Sequence, residues 1–193
     1  MAMKSALTLI ISAICTLAAL ASGAPSPTNT SEQNELIKIA KAAVRAEVTG
    51  KGAPVLLKKS DPKPVFVTIE SKGSVIGCRG ELETRSDSLQ QEVVLASRAA
   101  ARHDPRYPPL NEKSLQDFQV TITIVQRLDP ITSVDGLQPS DGLVLRAGTK
   151  IGVVLPWEGK DPQTRMQWAY KKAGVQPGSA CQLQRMNAER FRG

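Results

Sequence analysis

Aromatic residues are scarce in this chain, only 4% of its 193 positions. Its core must therefore rely on aliphatic and alanine packing, and the scarcity argues against a stacking platform for single-stranded nucleic acid. Histidine is rarer still. His103 is the only one, so any Cys-His mechanism has to use it. One histidine and widely separated cysteines, Cys15, Cys78 and Cys181, give no zinc-ligand spacing. No glycine loop leading into Lys-Ser/Thr is present to cradle a phosphate. Basic residues outnumber acidic ones, for a formal charge of +7, but they lie scattered in short pairs such as Lys58-Lys59 and Lys171-Lys172. That pattern suits a solvated surface rather than a nucleic-acid-binding arm. Repeats, heptads and low-complexity blocks are absent too. No metal, no cofactor and no nucleic-acid partner is expected.

The one long apolar run is at the N-terminus. Lys4 precedes Ala6 to Leu20, and Ala19-Leu20-Ala21 offers the small-x-small pattern of a signal-peptidase site. Residues 1–21 are read as a signal peptide, 22–30 as a flexible proline-containing linker, and 31–193 as one domain. The run is near the short limit for a membrane span, and its small-residue exit favours cleavage, leaving no stable membrane anchor. Ile14 before Cys15 argues against a lipoprotein. Export to the periplasm or beyond permits a Cys78–Cys181 disulfide, although spacing does not show that the two meet.

Periodicity then lays out the domain. Thr30 and Gln33 form a capping-box pattern ahead of Leu36, Ile37, Ala40, Val44 and Val48 at helical spacing. Val55-Leu56-Leu57 reads as a short buried piece in a proline-rich loop. Val65 to Glu70 alternates as a strand, Ser71-Lys72-Gly73 turns, and a second strand runs from Val75 to Glu83. Ser88 and Gln91 start a second helix whose stripe of Leu89, Val93, Ala96 and Ala100 is half small residues, and Pro105 ends it. A short helix over 111–117 is expected, then a strand from Phe118 to Ile124. A hairpin turns at 147–150, a third helix is capped by Asp161-Pro162 and closed by Gly174, and the C-terminus can supply a last strand. The fold class is α+β: a largely antiparallel β-sheet with packed helices.

Within the second strand, Gly77-Cys78-Arg79-Gly80 is the most specified stretch. Glycines three apart in a strand mark a bulge or a close approach to the backbone. A thiol between them, beside Arg79 or Arg106, has the surroundings that lower a cysteine pKa. The alternative is a small buried cysteine in a tightly packed strand. Asp104 and Arg106 suit a bidentate pair that holds the loop after the helix, or that binds a polar ligand beside Cys78. Trp157 and Trp168 read as packing residues, with Trp157 a candidate partner anchor if exposed.

Four segments taken in order resemble the AMMECR-one domain family. Its strand ending in Leu-Arg-Gly-Cys-Ile-Gly is matched by Val75-Ile76-Gly77-Cys78-Arg79-Gly80. Its Asp-x-Arg-Phe-x-Pro-Leu is matched by Asp104-Pro105-Arg106-Tyr107-Pro108-Pro109-Leu110. A Leu-Pro matches Leu155-Pro156, and a Lys-Ala-Gly closing a helix matches Lys172-Ala173-Gly174. The resemblance covers about residues 33–192. It implies an α+β fold that can divide into two lobes, without implying a reaction. Ile76 departs from the family arginine, and Arg79 follows the cysteine instead; an odd separation on a strand would point these two residues to opposite faces.

Two functions follow. The first is a binding module holding a small polar ligand or a protein partner in a groove formed by Gly77, Arg79, Gly80, Asp104 and Arg106. The second is a thiol-dependent enzyme with Cys78 as nucleophile. Cys78 on the floor of a polar pocket would favour the enzyme, and burial under the 88–103 helix would favour the module.

Overall fold

The computed structural model describes residues 28–52, 54–56 and 60–193. The expected signal peptide, linker residues 22–27, Leu57 and Lys58-Lys59 lie outside the described residues. Helix α1 spans Thr30–Thr49 and ends at Gly50, whose left-handed backbone (φ 68°) lets its N–H bond Ala46. Its cap is Asn29, which accepts the Glu32 N–H, rather than the expected Thr30. Asparagine is the stronger cap, and it stands one residue earlier. Val55 and Leu56 are 72% and 40% exposed, so these two residues of the expected buried piece lie at the surface.

Strands β1 (Val65–Ser71) and β2 (Ser74–Gly80) form the expected hairpin. Lys72 and Gly73 both take positive φ, as a two-residue turn between twisted strands requires. The second strand stops at Gly80 rather than Glu83. Its partner begins at Val65, so once Glu81 N–H has bonded Val65 C=O no strand is left to pair. Helix α2 (Leu89–Arg102) follows, capped by Ser88 on Gln91. A 3-10 turn at Glu112–Leu115 leads to β3 (Phe118–Ile131). Then come β4 (Gly142–Ala147), β5 (Lys150–Val154), α3 (Pro162–Ala173) and β6 (Gln182–Arg192).

The six strands form one antiparallel sheet in the order β2-β1-β3-β6-β4-β5, curled into a half-barrel. The C-terminal strand is central, and β2 and β5 are the two edges. Strand alternation sorts the side chains onto two faces. Val67, Ile69, Ile122 and Ile124 pack under α1 and α2, while Leu143, Leu145 and Val154 pack under α3. Phe191 joins the first cluster and Leu183 the second. They stand an even number of residues apart on β6, so all three helices share one side of the sheet. The lobes expected from the family resemblance are these two clusters on one continuous sheet. The concave side carries a third cluster of Phe66, Cys78, Val125, Val144, Leu155 and Met186.

Each edge strand carries a glycine beneath a helix. A Cβ at Gly77 would stand 2.2 Å from Ala100 O, and one at Gly152 would stand 2.0 Å from Ala169 O. Neither distance is sterically allowed, so these glycines let α2 and α3 lie directly on the sheet.

Candidate functional site

Pro105 cannot continue α2, so the chain turns at Asp104 and sends its carboxylate back toward β2. That side chain is 2% exposed. It accepts four N–H groups: Cys78 N at 2.9 Å, Arg106 N at 3.0 Å, Arg106 Nε at 2.9 Å and Arg106 Nη2 at 2.8 Å. Arg106 Nη2 also donates to Cys78 C=O at 2.9 Å. The expected bidentate pair is therefore present, and it clamps both main-chain groups of Cys78. Because Cys78 lies on an edge strand, its N–H and C=O point away from β1, and two side chains occupy the place of a neighbouring strand.

Burial alone would raise the Asp104 carboxyl, but the hydrogen bonds from Arg106 and Cys78 outweigh it and hold the group below the usual carboxylate range. The same carboxylate raises Arg106 further above an already high value.

The Cys78 side chain faces the concave side, where 9% of the residue remains exposed. Burial pushes the thiol up, against the opposing pull of the Thr68 hydroxyl 3.2 Å from Sγ. Gly77, not Cys78, is the residue under α2. Cys78 and Cys181 are both free thiols; Cys181 packs on the helix side near Tyr170, so the sheet separates them.

Cys78 stands at the edge of an open cavity of about 830 Å³ on the concave side. One wall is Phe66, Cys78, Gly80 and Leu82; the other is Ile151, Val153, Leu155 and Trp168. Arg79, Arg106, Arg146, Lys171 and Lys172 line it as well, against Glu81 and Glu83. Basic residues thus outnumber acidic ones among the apolar ones. Of the residues expected at the site, Cys78, Arg79, Gly80 and Arg106 reach the cavity. Gly77 is taken up by helix contact, and Asp104 sits behind Arg106. His103 is exposed at the end of α2 and forms no part of the wall. No metal-holding group of His, Cys, Asp or Glu occurs among the described residues.

The opposite wall was not legible as part of a site. Arg146, Trp168, Lys171 and Lys172 belong to no motif and come from the other end of the sheet. Trp168 and Trp157 are 43% and 62% exposed, so neither is the packing residue expected. Ile76 also differs from expectation. The β1–β2 register pairs Ile69 with Gly77 and Glu70 with Val75, leaving Ile76 as a bulge that packs toward the helices. The bulge cancels the odd spacing, so Ile76 and Arg79 start from the same side, and Arg79 is nonetheless among the residues that line the cavity.

An antiparallel half-barrel with helices on one side and a basic-walled groove on the other defines the class. The chain belongs to the AMMECR1 family, whose model matches residues 27–193. It is 30% identical to a Methanothermobacter thermautotrophicus protein over 79% of this chain and 87% of that one. It is also 30% identical to a Thermotoga maritima protein over 66% and 76% of the two chains. Among solved structures, the uncharacterised protein PH0010 from Pyrococcus horikoshii shares the fold with a TM-score of 0.67 at 23% identity, covering 81% of this chain and 89% of that one.

The clamp makes stability depend on pH. Since folding lowers the Asp104 pKa, its contribution is whole above the unfolded value of about 3.9 and is lost as pH falls through the folded value. Arg106 keeps 46% of its side chain in water, which screens the pair. Asp104→Asn should therefore cost about 2 kcal/mol at pH 7. Urea midpoints of the two proteins should converge as pH drops below about 4. A gap that stays constant to acid pH would mean that Asp104 is not held ionised.

Proposed function

We propose that this domain is a binding module whose groove between β2 and β5 holds a small polar ligand of anionic character or a protein partner. The observation carrying this is the 830 Å³ cavity, lined by apolar residues and by five basic ones. Arg79, Gly80 and Arg106 contact the bound group from the β2 side, while Asp104 and Gly77 position them. A thiol enzyme would need Cys78 as a thiolate at neutral pH with a base beside it. Burial instead raises this thiol, and the single histidine forms no part of the wall. The module has no need of the sulfur.

The amphipathic anion 8-anilinonaphthalene-1-sulfonate is a suitable probe. Its fluorescence with the folded protein should saturate at one site and weaken with salt. Affinity should fall about tenfold in an Arg79→Ala/Arg146→Ala double variant. Cys78→Ser should leave it unchanged. Unsaturable binding, or binding indifferent to the two arginines, would overturn the groove.

We also propose that the protein is exported and acts outside the cytosol, on the strength of the Lys4, Ala6–Leu20 and Ala19-Leu20-Ala21 pattern. Protein recovered from the periplasm or medium of an expressing cell should begin at Ser22. Chain retained in the cytosol with Met1 intact would contradict export.

A further inference from the structure

The register assigns a direction to every main-chain group on the two edges. Ala147 and Lys150 flank the two-residue turn between β4 and β5, and the pairs Leu145–Gly152 and Leu143–Val154 follow at alternate positions. These pairs carry the ladder bonds. The N–H and C=O of Ile151 and Val153 therefore point off the sheet, and among the described residues no turn, loop or side chain bonds them. On β2 the same alternation turns Cys78 and Gly80 outward. Cys78 is clamped by Asp104 and Arg106, but Gly80 is not. Gly80, Ile151 and Val153 all line the one cavity.

The half-barrel is thus open along a seam with unpaired main-chain groups on both sides. Ile151 and Trp168 stand beside it, 42% and 43% exposed. An edge left open next to apolar surface is a template for another strand. Charge narrows the occupant. Lys172 is occupied by Glu158 and Arg106 by Asp104. Among the described residues, Arg146 meets only the neutral Gln184 amide, and Arg79 and Lys171 have no carboxylate partner. Glu81, on the β2 side, reaches toward Arg85.

We propose that the seam accepts an extended acidic peptide of a partner protein, added to the edge of β5. Its main chain pairs with Ile151 and Val153. Its side chains on the concave side meet Phe66, Val153 and Leu155 with Arg146 beside them, and those at alternate positions face Lys171. This rests on the groove being a binding surface, and it specifies the protein-partner form of that reading.

The test uses a fluorescein-labelled dodecapeptide alternating glutamate and valine, its backbone N-methylated on alternate residues as a second probe, and a lysine–valine version as a third. Anisotropy should show binding of the first, binding at least about tenfold weaker for the N-methylated form, and none for the lysine form. Ile151→Pro deletes an outward N–H at an edge position where proline is tolerated. It should weaken the glutamate peptide about tenfold relative to Ile151→Ala, which removes the same side chain but keeps the N–H. Equal binding of the methylated peptide overturns strand addition, and so does failure of the glutamate peptide where the dye still binds. Failure of both probes removes the groove reading and this inference with it. If circular dichroism shows Ile151→Pro unfolded, the methylation comparison on the parent protein decides the matter.

Discussion

One buried carboxylate sets the geometry of the site. Asp104 receives four N–H groups while nearly shut off from water, and Arg106 returns a bond to the carbonyl of the same cysteine whose N–H Asp104 holds. Desolvating a carboxylate is costly unless charge and hydrogen bonds compensate it, and here every donor is supplied locally. The consequences spread from there. The clamp fixes the exit of α2, stops strand addition at Cys78, and sets Arg106 on the cavity wall. It also keeps the Cys78 backbone rigid while the thiol turns toward an apolar cluster that favours its neutral form.

The far wall has a counterpart. Glu158 accepts the Leu155 N–H at 2.9 Å and pairs with Lys172 at 2.6 Å, which anchors the end of β5 to α3. Leu155 and Cys78 belong to one apolar cluster, which runs across the concave face from one end of the sheet to the other. The cavity exists because the helices all lie on the other side of the sheet. Gly77 and Gly152 let α2 and α3 pack directly on that side, and among the described residues no helix lies on the concave face.

Much of the fold was legible because it is written in local periodicity. The three helices, both hairpins and the first half of β3 follow from apolar spacing, capping residues and turn glycines, whereas the continuation of β3 from Val125 to Ile131 does not. The place of β6 was not legible. Its sequence, QLQRMNAERFR, is polar enough to suit an edge, yet it lies at the centre of the sheet, because its neighbours are chosen by long-range pairing that leaves no mark in local pattern. The site divides in the same way. Cys78, Arg79, Asp104 and Arg106 stand in two short motifs and were legible, including the Asp104–Arg106 pair. That the pair grips the Cys78 backbone depends on β2 being an edge, and that Arg146, Trp168 and Lys171 face it depends on the curl. The Ile76 bulge shows the limit of parity: one inserted residue reverses every inference about facing drawn across it.

The clamp and the open seam make opposite demands on two neighbouring outward-facing amides of β2, so native-state hydrogen exchange resolved by residue tests both at once. The Cys78 amide, held by Asp104, should exchange among the slowest in β2. The Gly80 amide, two residues along the same edge, should exchange quickly. Slow Cys78 and fast Gly80 are the expected result. A Cys78 amide exchanging as fast as Gly80 would show that the Asp104–Arg106 clamp does not hold the edge in solution.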